Sequence, residues 1–135
     1  PAEDFDFAMM RQLITDITDA RRLTTTFRFE SASARLDTKA VQDVGRLASF
    51  LAQDAYRDKR IALLGFADSR GPFPKNTELS LARATTVRQA LVATAAGKQL
   101  ANRVVAKGYS ELAPVACNDS DVGREFNRRV EVWLY

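Results

Sequence analysis

Asp68 and Arg83 are the two side chains whose type and placement point most directly to chemistry. They flank a stretch, residues 65–84, that reads GFADSRGPFPKNTELSLARA. Asp68 follows an apolar run, residues 61–66, with the pattern of a strand buried on both faces. The chain then passes Gly71, Pro72 and Pro74 and is expected to enter a helix at about Asn76 or Thr77. Arg83 would fall in the second turn, with Leu79 and Val87 four residues to either side, so a cation shares an apolar stripe. A cation so near a helix N-terminus also opposes the helix dipole, at a cost of about a few tenths of a kcal/mol. An acid and a displaced arginine on either side of one strand-to-helix loop suit a zwitterionic ligand. Open α/β sheets bind ligands at the carboxyl ends of their strands, and the start of a helix offers free N–H groups to an anion. A structural arrangement fits the same residues: Asp68 and Arg83 paired with each other or with Arg70 and Glu78, or Arg83 reaching water from a half-buried stem.

Other chemistries lack their parts. The chain has no histidine, the commonest general base and metal ligand. Cys117 is the only cysteine, so neither an intrachain disulfide nor a CxxC metal knuckle can form. Without a histidine to activate them, Cys117 and the serines are poor nucleophiles, and Cys117 among Val115, Ala116 and Asn118 reads as a small apolar filler. Glycosidase-type acid catalysis needs a carboxyl group in an apolar setting. Asp68 comes nearest to that and has arginines close in sequence. The expectation is a binding protein, with no enzymatic activity, cofactor or metal.

These residues need a scaffold of strands and helices. Residues 3–22 read as an amphipathic helix, with Phe5, Met9, Leu13 and Ile17 every four residues and Met10 and Ile14 alongside. Its stripe must be covered by the domain or by a second copy of the chain, which would make a homodimer. Residues 24–29 alternate as a strand, and residues 31–35 form a small-residue loop. Asp37 or Thr38 can cap a helix running to about residue 55, with Val41, Val44, Leu47, Ala48 and Leu51 inward. Strands follow at 61–67, 103–109 and 129–135, with a long helix at 77–96. Residues 110–128 are too long for a plain connection, and 121–126 can make a helical turn of their own. The order β-α-β-α-β-β, with a helix in front, implies crossover connections and some parallel pairing in an α/β domain.

The 135 residues suffice for one domain with a real core, and 46% hydrophobic and 27% charged residues are ordinary for a globular protein. A net charge of +3 permits anionic partners without requiring them. No apolar run approaches membrane-spanning length, and no signal peptide is evident. The chain opens with Pro1, which reads as a mature fragment or an excised domain. Phe27, Phe29, Trp133 and Tyr135 on strands suggest an alternative: a nucleic-acid-binding α/β domain that stacks bases on its sheet. Against it, Phe27 and Phe29 are needed for a buried face, and the basic, glycine and aromatic run of such domains is missing.

Gly65-Phe-Ala-Asp68, Gly71, Asn76, Leu79-Ser80 and Arg83-Ala84 resemble the pattern (T/A)D-x-x-G-x-x-x-x-N-x-x-L-S-x-x-R-A of the OmpA-like C-terminal peptidoglycan-binding domain. The likeness continues through Gly108-Tyr109, Pro114, Asn118, Gly123-Arg124 and Asn127-Arg-Arg-Val-Glu131, with Phe27 and Ser33 to Leu36 at its start. It covers residues 23–135 and leaves residues 1–22 as an accessory helix or linker. The resemblance implies a mixed sheet with helices packed on one face, as in peptidoglycan-associated lipoproteins and flagellar MotB proteins. It implies that Asp68 accepts from the ammonium of meso-diaminopimelate and that Arg83 clamps its carboxylate. Asn76, Asn127 and Arg128 match motif positions, as does Arg124, and are expected to be pocket walls or loop anchors. Phe66-Ala67 stand where the family often has His-Thr or Tyr-Thr. Ala67 therefore brings no hydroxyl to the site, which implies lower affinity with the charge pair retained. The implied partner is peptidoglycan in a Gram-negative periplasm, not nucleic acid, with a membrane reached only through an attached domain or anchor.

Overall fold

The computed structural model describes residues 7–135. Four strands, β1 (Arg21–Arg28), β2 (Ile61–Gly65), β3 (Val104–Gly108) and β4 (Arg129–Leu134), form one mixed sheet in the order β1-β4-β2-β3. β2 and β3 run parallel and are joined by a crossover through α3 (Phe73–Ala93). β4 inserts between β1 and β2 and is antiparallel to both. The parallel pair is the pairing that the order of elements implies, and the mixed sheet is the one that the resemblance implies.

Period-two alternation divides the sheet residues between two cores. Ile61 and Leu63 join Phe27, Val130 and Val132 beneath α2 (Thr38–Leu51) and α3. Asp37 caps α2 by accepting from the Ala40 N–H at 2.7 Å. Val44, Leu47, Ala48 and Leu51 are buried as expected, but Val41 points to solvent and Ala40 takes the inner place. α3 lies hard against the ends of two strands. A Cβ on Gly65 would stand 1.9 Å from the Ser80 carbonyl oxygen, and one on Gly108 would stand 2.4 Å from the Leu81 nitrogen. Only glycine allows this approach.

Ala62, Leu64 and Phe66 face the other way, against α1 (Phe7–Ile17). The helix expected over 3–22 closes at Ile17. Asp19, at φ 64°, turns the chain into β1, and Phe5 lies outside the described residues. Leu13 is buried, with Met9, Met10 and Ile17 packed beside it, whereas Ile14 faces solvent. The inner stripe of α1 is therefore covered by the domain itself. A polar clasp adds to it: Asp16 accepts from Lys107 Nζ at 2.8 Å and from the Tyr109 hydroxyl. Burial opposes ionisation of Asp16, but hydrogen bonds from Lys107, Tyr109 and Gln12 outweigh it and hold its pKa below the ordinary value. Ser120 caps α4 (Asp121–Asn127), which occupies the long segment before β4.

Candidate functional site

Pro72 caps α3 and Pro74 sits in its first turn, so the helix begins at Phe73, ahead of the expected Asn76 or Thr77. Arg83 thus lies about three turns in, beyond the reach of the helix dipole. Its placement on the apolar stripe is nonetheless real, because it is completely buried between Leu79 and Val87. The guanidinium does not reach out to water. Its Nε donates to the Ser33 carbonyl at 2.8 Å, Nη1 to Phe66 at 3.1 Å and Nη2 to Glu30 at 3.0 Å. Among the described residues these bonds use three of its five N–H donors, leaving one on each terminal nitrogen. The group also lies over the Phe29 ring, 5.4 Å from its centre. Burial and the nearby Arg128 cation push the Arg83 pKa down to about 10, partly offset by Asp68. It remains charged at neutral pH.

Asp68 is buried just past the end of β2, and it pairs with two arginines other than Arg83. Its Oδ1 accepts from the Arg70 backbone N–H at 2.9 Å and from Arg70 Nε at 3.3 Å. Its Oδ2 accepts from Arg70 Nη2 at 3.0 Å and from Arg128 Nη1 at 3.1 Å. Burial alone would raise the Asp68 pKa. The side-chain and backbone hydrogen bonds of Arg70, with that of Arg128, hold it below the ordinary value. Arg128 is fixed in turn, since its Nε donates to the Phe29 carbonyl at 2.9 Å.

Asp68 and Arg83 open on one cavity of about 320 Å³, lined also by Ser31, Ala67, Arg70 and Asn76. Asn76 shapes its rim from within: Nδ2 donates to the carbonyls of Asp68 at 3.2 Å and Arg70 at 2.9 Å. Gly71, at φ 85°, provides the turn between them. Ala67 contributes a buried methyl group, and its N–H is taken by the Ser110 carbonyl at 2.7 Å. Asn127 stands apart from the cavity wall. It accepts from the Val115 and Ala116 N–H groups and donates to the Ala116 carbonyl and to Asn118, so it is a loop anchor. Asn118 passes that order on by accepting from the Ser69 N–H at 3.2 Å. Arg124 likewise holds its own loop, through the Asn118 carbonyl and Asp121.

Sequence reasoning named Arg70 only as a structural partner for Asp68, a pairing the structure contains, and placed Ser31 only in a loop. The signal for Arg70 was present, since an aspartate ahead of a glycine turn commonly accepts from the N–H two residues on. Phe27 and Phe29 are buried in the core, Trp133 is half-buried with its Nε1 donating to Glu131, and Tyr135 is exposed.

Residues 28–128 match the family model described as the OmpA family. Outer membrane porin F of Pseudomonas fluorescens is 38% identical over 104 residues, 77% of this chain. The chain spans only 30% of that porin's length. The C-terminal domain of Helicobacter pylori MotB superposes with a TM-score of 0.73 at 27% identity, over 84% of this chain and 85% of the other. The cell wall anchor of the T6SS from Pseudomonas aeruginosa superposes at 0.66 with 31% identity, over 94% of this chain and 96% of the other.

Proposed function

The chain belongs to the OmpA family, and we propose that it binds peptidoglycan non-covalently by gripping the meso-diaminopimelate of the peptide stem. It thereby anchors an attached domain or membrane to the cell wall of a Gram-negative cell, on the periplasmic side. The observation that carries this reading is the cavity itself, where the guanidinium groups of Arg70 and Arg83 and the buried carboxylate of Asp68 share one wall, with Arg128 bonded to that carboxylate from outside the lining. Diaminopimelate ends in both an ammonium and a carboxylate. Asp68 accepts from the ammonium, and Arg83 meets the carboxylate with the one N–H left on each terminal nitrogen. Arg128 orients Asp68, while Asn76 and Asn127 hold the loops that frame the pair.

Two likenesses support the anchoring role. One relative is an outer membrane porin, and one solved neighbour is a cell wall anchor. On this reading residues 23–135 form the binding domain and residues 1–22 an accessory segment. Cosedimentation with purified sacculi tests the proposal. The protein should pellet with the wall, and a smaller fraction of Asp68→Ala should do so. Failure of the wild-type chain to pellet, together with RNA binding that weakens steeply with salt, would favour the nucleic-acid alternative instead.

A further inference from the structure

The Asp68 carboxylate has no room for a ligand as it stands. A carboxylate offers about four acceptor positions, and Asp68 receives four hydrogen bonds, two on each oxygen. Two of the four donors are locked. The Arg70 N–H belongs to the backbone of the turn, and Arg128 is buried and also bonded to the Phe29 carbonyl. The other two come from the Arg70 side chain, which is 50% exposed and, among the described residues, has one further hydrogen bond, to the Ser31 hydroxyl at 2.9 Å. Its Nε covers Oδ1 and its Nη2 covers Oδ2, at the mouth of the cavity.

We propose that the Arg70 guanidinium is a resident substitute for the ligand's ammonium, a plug that must swing away before Asp68 can accept from a bound molecule. The inference rests on the peptidoglycan reading given above. When Arg70 leaves, one acceptor position opens on each oxygen, and an incoming ammonium, with three donors, fills both. The exposed side chain can turn into solvent, whereas the buried Arg128 stays and keeps Asp68 ionised and oriented. Arg70 thereby sets an affinity penalty, because only the fraction of molecules with the plug withdrawn can bind. It also selects for ligands: an incoming group must replace both lost hydrogen bonds, which favours a primary ammonium over a neutral amide.

The test is a double-mutant cycle read by titration with a soluble diaminopimelate-containing stem peptide. Arg70→Ala should bind about two- to tenfold tighter than wild type, with a faster association rate. The gain should vanish in the Asp68→Ala background, where there is nothing to plug. Binding by Arg70→Ala that is equal to or weaker than wild type overturns the plug. It leaves the peptidoglycan reading in place, provided that wild-type binding still depends on Asp68. Absence of binding by wild type and Arg70→Ala alike overturns that reading, and the plug with it.

Discussion

Nη1 of Arg83 donates to the carbonyl of Phe66 at 3.1 Å, tying α3 to the chain two residues before Asp68. One side chain therefore positions the loop that carries the carboxylate and also lines the cavity beside it. Its other two bonds reach Glu30 and Ser33 in one turn after β1, so three carbonyls from two segments converge on a single buried guanidinium.

Arg83→Ala should accordingly be destabilising, and not merely weaken binding. It removes charge-assisted hydrogen bonds from three carbonyl groups, that of Phe66 buried and those of Ser33 and Glu30 part-buried, which should cost roughly 2–5 kcal/mol in urea or thermal unfolding. Arg83→Lys keeps the charge but cannot serve three carbonyls from one planar fork. It should recover part of the stability and little of the stem-peptide affinity. Unchanged unfolding of Arg83→Ala would contradict the role of these bonds.

Asn127→Ala separates loop support from ligand contact. Four hydrogen bonds to residues 115–118 are lost, and Asn118 loses the partner that steadies its hold on Ser69. A stability loss of about 1–3 kcal/mol is expected, with a smaller fall in peptide affinity than Asp68→Ala causes. Chemical denaturation and calorimetry on the two variants give the comparison.

Acid should destabilise the fold through Asp68 and Asp16. Both have folded pKa values below the ordinary 3.8, so each contributes stability that is fully present above that value. The contribution is lost as pH falls through the folded values, because the unfolded chain then binds more protons. Asp68→Asn and Asp16→Asn should each flatten the fall in melting temperature below about pH 4. Melts of the two variants and wild type between pH 7 and pH 2 measure it. A wild-type slope in both variants would remove these carboxylates as the cause.

Leu13→Ala probes whether α1 belongs to the folded unit. The side chain is 3% exposed among Leu64, Phe66 and Leu112, and its truncation should cost about 2–5 kcal/mol. Peptide binding should survive, since none of the residues of α1 lines the cavity. A negligible stability change would mean that α1 detaches freely.

Much of this was legible in the sequence because it rests on local patterns. The buried strand in the apolar run 61–66, the cap at Asp37 or Thr38 and the strand expected over 129–135 follow from composition, capping and period. Asp68 and Arg83 were brought together by one short loop. What escaped reading depends on contacts remote in sequence or on backbone preorganisation. The prolines at 72 and 74 read as loop punctuation, yet they fit the start of α3 because the first turn has no intrahelical N–H bond to lose. The insertion of β4 between β1 and β2 is set by packing across the whole sheet. The clasp of Asp16 on Lys107 and Tyr109 spans most of the chain, and nothing local announces it. Arg128, read as a wall or anchor, proves to be the buried partner of Asp68, a pairing that depends on β4 lying beside β2.

The most direct measurement is calorimetric titration of a soluble diaminopimelate-containing stem peptide into wild type and Asp68→Ala, with thermal melts in parallel. A monomeric peptide avoids the avidity of intact wall, which would mask a weakened site. Wild type should bind, and Asp68→Ala, while still folded, should bind about ten- to a hundredfold more weakly through loss of charge-assisted hydrogen bonds. A peptide with lysine in place of diaminopimelate, which keeps the ammonium and lacks the carboxylate, should also bind wild type more weakly. Equal affinity for wild type and a folded Asp68→Ala would contradict the assignment of this cavity as the binding site.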